Sequence, residues 1–137
     1  MELVADTNII AAAILRAGVT RNLIFRTDII LFSPEYVSKE LEKHEKEFLQ
    51  KSGLSKEEYE SATSIVLLNL NQLPHNEYLK FEKESKKLSP DPYDWPFFAV
   101  AISKKCAIWS NDSMLKKQTE IQIYTTKELL EILTKRQ

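Results

Sequence analysis

Glycine occurs only twice in the 137 residues, at Gly18 and Gly53, too few and too far apart for a glycine-rich loop that cradles phosphates. Nucleotide cofactors held on such loops are therefore excluded. Cys106 is the single cysteine, so no intramolecular disulfide can form, and a reducing compartment, the cytoplasm, is the natural expectation. The two histidines, His44 and His75, are too far apart for ordinary zinc-ligand spacing. Long hydrophobic runs are also missing. The longest, Ile9 to Leu15, falls far short of the roughly 20 apolar residues that cross a bilayer, so no membrane partner is expected. Met1 to Asp6 has neither the basic start nor the apolar stretch of an export signal. Nor is there an excess of one charge. Nineteen Lys and Arg against 20 Asp and Glu leave a net charge of -1. A protein whose main task is to grip long nucleic acid through its phosphates is usually basic, so any nucleic-acid contact must be local or assisted by cations.

What is present suits one α/β domain spanning residues 1–137. Leu3-Val4-Ala5 reads as a first strand ending in Asp6. Thr7 and Asn8 are placed to cap the helix suggested by Ile9 to Arg16, with Gly18 to end it in the left-handed region. A short helix over 20–27 precedes a wholly apolar strand, Ile29 to Phe32. Ser33-Pro34 then reads as the start of a third helix running to about Gln50, with Gly53 beyond its end. Ser55-x-x-Glu58 is a capping box opening a fourth helix to about Leu70. A charged amphipathic segment runs to Lys87, so residues 33–88 read as a helical insertion. The turn-rich Ser89 to Pro92 then leads into a buried helix from Trp95 to Ile102. Ala107 to Ser110 and Ile121 to Tyr124 read as strands, and Thr125-x-x-Glu128 caps the last helix. Strands alternating with helices predict a central, mostly parallel sheet covered on both faces, a three-layer α/β/α sandwich.

The acidic residues carry the functional signal. Asp6 and Asp112 each follow an apolar strand at its carboxyl end, where open parallel sheets keep their ligand crevice. Helix capping alone explains one such aspartate; two together shift the balance towards a site. Glu40 falls inside the apolar stripe formed by Tyr36, Val37, Leu41 and Phe48. A core-facing carboxylate must be protonated, paired or bound to a cation. Glu47 and His44 lie near the same direction, and solvated or structural roles suit them better. In Asp91-Pro92-Tyr93-Asp94, one aspartate is explained as a helix cap but not both. Asp94 shares a face with Phe98 and Ala101, so it is taken as the inward acid, with Asp91 as an auxiliary acid or a turn residue.

Four blocks, Val4-Ala5-Asp6-Thr7-Asn8, Val37-Ser38-Lys39-Glu40-Leu41, Asp94 with Ala99 and Ala101, and Ser110-Asn111-Asp112, together resemble a PIN domain over nearly the whole chain. The resemblance implies a metal-dependent ribonuclease, often the toxin of a toxin-antitoxin pair, with Asp6, Glu40, Asp94 and Asp112 as its acidic cluster. It also implies that Asn8 and Ser110 orient that site. An RNA substrate, an antitoxin protein and a second copy of the chain are the partners it brings into view. A structure-selective DNA nuclease and a non-catalytic RNA-binding or scaffold domain are the competing readings.

Four carboxylates gathered within a few ångströms repel by about 4 kcal/mol per close pair at an effective dielectric of 20, and need cations. Oxygen-only donors favour hard ions, one or two Mg2+ or Mn2+. Trp95 and Trp109 lie in apolar runs and are expected in the core. Among the basic residues, Lys116 and Lys117, soon after Asp112, and Arg16 are the candidates for RNA phosphate contact.

Overall fold

In the computed structural model, which describes residues 1–135, the chain opens with strand β1 (Glu2–Ala5), whose last three side chains are completely buried. It is followed by α1 (Thr7–Leu15), α2 (Val19–Ile24) and β2 (Ile30–Pro34). Three helices, α3 (Val37–Lys43), α4 (Glu45–Ser52) and α5 (Lys56–Leu68), lead to β3 (Leu70–Leu73). Helices α6 (His75–Tyr78), α7 (Glu82–Leu88) and α8 (Trp95–Lys104) precede β4 (Ala107–Trp109), β5 (Ile123–Tyr124) and α9 (Thr126–Lys135). Every strand pair is parallel, in the order β3-β2-β1-β4-β5.

That order fixes where a crevice can exist. From β1 the chain moves outward through β2 to β3, then returns to place β4 on the free side of β1. Because parallel crossovers are right-handed, reversing the direction of travel moves the connecting helices to the other face of the sheet. Helices α1 to α5 pack among themselves on one face, and α8, backed by α6 and α7, covers β1, β2 and β4 on the other. The α/β/α layering expected from the sequence is therefore present, and its switch point lies between β1 and β4.

Several local expectations needed correction. Residues 33–88 are not a purely helical insertion, because they contain β3, which pairs with β2 from Leu31↔Leu70 to Pro34↔Leu73. Its four residues, Leu-Asn-Gln-Leu, bury only their two ends. Two central polar residues in so short an edge strand mimic the end of a helix in sequence. Ser33 and Pro34 end β2 rather than cap a helix; α3 starts at Val37, with Tyr36 at its N-cap position. The predicted third helix breaks at His44, whose φ of -102° and ψ of 8° separate α3 from α4. The charged segment before Lys87 likewise forms two short helices joined by a 3-10 turn at Leu79–Phe81. Gly18 is extended (φ 161°) and precedes α2, whereas Gly53 ends α4 in the left-handed region (φ 73°) as expected. The Ser55–Glu58 capping box is formed, and Thr125 with Glu128 makes the reciprocal bonds at the start of α9.

The end of α1 is satisfied by a basic side chain rather than by a glycine. Arg21 donates from Nε to the Ala13 carbonyl at 2.7 Å and from Nη2 to the Ile14 carbonyl at 3.0 Å. Replacing it leaves terminal carbonyls unpaired at a part-buried position. Arg21→Ala is expected to destabilise the fold by about 1–3 kcal/mol, a loss of several degrees in Tm by scanning calorimetry. An unchanged Tm shows that α1 needs no such cap.

Candidate active site

Asp6 has two roles at once. It is the N-cap of α1, its Oδ1 accepting the Ile9 amide at 2.9 Å, and its own amide donates to the Trp109 carbonyl at 3.2 Å, tying the ends of β1 and β4 together. The expectation that Thr7 and Asn8 cap this helix is thus displaced by one residue. Only 9% of Asp6 is exposed. Burial is the main cause pushing its pKa up, and nearby Asp112 adds to this, whereas the Ser110 hydroxyl and the amides of Ile9 and Asn8 draw it down.

Across the switch point, β4 delivers Ser110 and Asp112. Ser110 is completely buried; its Oγ accepts the Asp112 amide at 3.1 Å and also bears on the Asp6 carboxyl. One hydroxyl thus links the Asp6 carboxyl to the Asp112 main chain, just beyond the ends of two neighbouring strands. Asp112 Oδ1 accepts the Met114 amide at 3.0 Å, capping a 3-10 turn over Ser113–Lys117.

Asp91 and Asp94, which the sequence left as rivals, have separated roles. Asp91 Oδ1 accepts the Tyr93 amide at 2.9 Å and caps the 3-10 turn Pro92–Asp94. Asp94 stands at the N-cap position of α8 but makes no capping bond. Its carboxyl is instead pushed up to about 6, first by burial and then by the charges of Asp91, Asp6, Asp112 and Glu40. A free carboxyl surrounded by four others is poorly placed for stability and well placed to receive a cation.

A cleft of about 60 Å³ lies between these groups, lined by Asp6, Asn8, Asp94, Phe97 and Asp112 among others. Glu40 on α3 does not line it, although its charge bears on Asp94; its side chain is 35% exposed, with His44 Nε2 at 3.8 Å. Because the helix breaks at His44, Phe48 belongs to a separate segment, and Glu40 lies at the edge of the apolar stripe rather than within it. Tyr36 is a member that sequence reasoning missed. Its phenol is pushed upward by burial and by the charges of Glu40 and Asp94, so it stays protonated beside the acids, with its ring 5.7 Å from that of Phe97. A tyrosine before a helix reads as packing, and nothing in the sequence distinguishes it.

The basic candidates are less concentrated. Lys116 Nζ is held by Glu128 Oε1 at 2.6 Å, Lys117 is exposed on the same turn, and Arg16 lies just beyond the far end of α1, about 15 Å from Asp6. Cys106, partly buried, has its thiol pushed up to about 11 by burial, which makes it a poor nucleophile. Among the described residues, no three Asp, Glu, His or Cys side chains stand close enough to hold one ion as they are placed. The donor set is nevertheless all-oxygen and anionic, a type that suits a hard divalent cation, and the carboxyls of Asp6 and Asp94 are raised by burial first and by their acidic neighbours second.

Comparison with known proteins gave two findings. The family model for the PIN domain matches residues 4–134. The crystal structure of VapBC2 from Rickettsia felis, bound to a DNA fragment from its promoter, contains a chain of similar fold, with a TM-score of 0.63 at 21% identity, covering 91% of this chain and 98% of that one. No curated protein matches this chain significantly.

The raised carboxyl of Asp94 has a signed consequence for the metal-free protein. The folded state holds the proton up to about pH 6, the unfolded chain only to about pH 4, so between these values the folded state binds more protons and stability falls as pH rises. Asp94→Asn removes the penalty. In EDTA at pH 7 the variant is expected to be more stable than the wild type by about 1 kcal/mol, a value reduced for solvent screening of a partly exposed group. Near pH 4 the difference vanishes. A variant less stable at pH 7 by thermal melting contradicts the electrostatic account of the site.

Proposed function

We infer that this chain, which belongs to the PIN domain family of nucleases, is a divalent-metal-dependent endoribonuclease working at the cleft between β1 and β4. The observation that carries the reading is the Asp94 carboxyl, uncapped and pushed up to about 6 among Asp6, Asp112, Glu40 and Asp91. Asp6, Asp94 and Asp112 would hold Mg2+ or Mn2+, with Glu40 joining from α3 and Asp91 as an auxiliary acid. When bound, one or two such ions supply charge neutralisation at the phosphate and acidify a water for in-line attack.

The chain's own residues do the positioning. Ser110 links the Asp6 carboxyl to the Asp112 main chain, and Asn8 at the cleft wall offers an amide to the substrate backbone. Lys117, exposed on the turn that Asp112 caps, is the nearest candidate to meet a flanking phosphate, with Lys116 available once it leaves Glu128. Arg16 remains for a more distant stretch of RNA. No protein nucleophile is needed: water attacks phosphorus, the P–O3′ bond breaks, and a 5′-phosphate and a 3′-hydroxyl remain.

The wider role that fits best is the toxin of a toxin-antitoxin pair, neutralised by a small protein partner. Support comes from the resemblance of the four motif blocks and from the fold shared with VapBC2 of Rickettsia felis, a complex solved on promoter DNA.

Purified protein is expected to cut single-stranded RNA in Mg2+ or Mn2+, leave 5′-phosphate ends, and stop in EDTA. Asp94→Asn and Asp112→Asn should each lower kcat/KM by about 100-fold or more, and Asp91→Asn by less, because Asp91 is engaged in capping. End-group analysis and a parallel DNA substrate decide the chemistry. Cyclic-phosphate ends or EDTA-resistant cleavage overturn the mechanism, and cleavage of DNA alone reassigns the substrate.

A further inference from the structure

A net charge of -1 is a handicap for a protein that acts on a polyanion. Lysines and arginines that neutralise phosphates release counterions, and this supplies nearly all of the sequence-independent affinity of nucleic-acid binders. At the cleft that term is weak. Asp6, Asp94 and Asp112 line it with no basic side chain among them, and Lys116 nearby is held by Glu128. Grip must come from another part of the substrate, and the flat apolar faces of its bases are what remains.

Among the described residues nine large apolar side chains are exposed, and two of them adjoin residues that line the cleft. Tyr93, 86% exposed, precedes Asp94; Met114, 48% exposed, precedes Leu115. The two are built alike. Each lies two residues after an aspartate whose Oδ1 accepts its amide, Asp91 for Tyr93 at 2.9 Å and Asp112 for Met114 at 3.0 Å. Each belongs to a 3-10 turn opened by that aspartate, and Pro92 further locks the backbone before Tyr93. A fixed main chain thus carries an aromatic ring that nothing covers, so little conformational freedom is lost when a ligand settles on it. A lone exposed apolar side chain is ordinary; its place is what singles this one out. One trans peptide, about 3.8 Å between Cα atoms, separates Tyr93 from the uncapped Asp94.

We propose that Tyr93 is a stacking platform for an unpaired base next to the scissile phosphate, with Met114 as a softer apolar contact for a second base. This role rests on the nuclease reading of the same cleft and names the part of the substrate that its rim would hold. Every base has a π face, so the ring accepts any of the four. In a duplex both faces of a base are covered by its neighbours, so the platform favours single strands, loops and ends.

Binding of a short labelled single-stranded RNA, followed by fluorescence anisotropy with Ca2+ in place of Mg2+, tests it. Bases are replaced one at a time by an abasic site, after the cleaved bond has been mapped in Mg2+. In the wild type one abasic position beside that bond is expected to weaken binding about tenfold, the scale of one base stacked on an aromatic side chain. Tyr93→Ala should weaken binding of the intact RNA by a similar factor and remove the effect of that abasic position, which a general loss of structure would not do. Tyr93→Trp should restore both. Because stacking displaces no counterions, Tyr93→Ala should leave the salt dependence of binding unchanged, whereas Lys117→Ala should make it shallower. Leu68→Ala, at an 85% exposed side chain that does not line the cleft, should alter neither. Metal-dependent cleavage with equal RNA affinity in wild type and Tyr93→Ala, or an abasic effect that survives Tyr93→Ala, overturns the stacking role and leaves the nuclease reading standing. A wild type that neither binds nor cleaves RNA in any divalent metal overturns both.

Discussion

Like-charge repulsion at the carboxyl ends of β1 and β4 is the constraint on which the site depends. A folded chain has every reason to keep carboxylates apart, and a pair a few ångströms apart costs several kcal/mol at the dielectric of a protein margin. Here the main chain brings them together. The Asp6 amide is bonded to the Trp109 carbonyl, and Ser110 stands between Asp6 and Asp112. Asp94 is set opposite by the start of α8, with Phe97 to Ala101 buried against the sheet behind it. Burial first, and this repulsion second, appear as carboxyls that hold their protons more tightly than usual. The hydrophobic core holds this arrangement in place, and under the proposed function a cation would relieve it.

The strand order makes the crevice. Because β4 inserts beside β1 after the excursion through β2 and β3, the helices leaving β1 and entering β4 lie on opposite faces, and the strand ends between them are left uncovered. Phosphodiester chemistry at this place needs no special loop. Under the proposed function it needs acids at the ends of two strands and at the start of the opposing helix, the places that Asp6, Asp112 and Asp94 occupy.

Much of this was legible in the sequence because strand, turn and acid occur together. Leu3-Val4-Ala5-Asp6 and Ala107 to Asp112 show hydrophobic runs ending in carboxylates, and the capping boxes at Ser55 and Thr125 are local signals that survive in the fold. What was not legible depended on tertiary context. β3 is an edge strand with two polar central residues, so its pattern is neither alternating nor apolar. The break at His44 places Glu40 at the stripe's edge, and no proline or glycine announces it. The rivalry of Asp91 and Asp94 is decided by which side chain accepts a turn amide, a matter of backbone angles. Tyr36 joins the acids only because β2 continues through Ser33 and Pro34 before α3 begins, and its hydroxyl is inconspicuous in sequence.

The central claim is that these acids form one cation site, and anomalous diffraction from crystals soaked in Mn2+ tests it most directly. The account predicts a peak about 2.2 Å from carboxyl oxygens of Asp6 and of Asp94 or Asp112, at the carboxyl ends of β1 and β4, with Glu40 drawn inward from α3. Peaks confined to other parts of the surface, with the Asp6 and Asp94 carboxyls unliganded at saturating Mn2+, would contradict it.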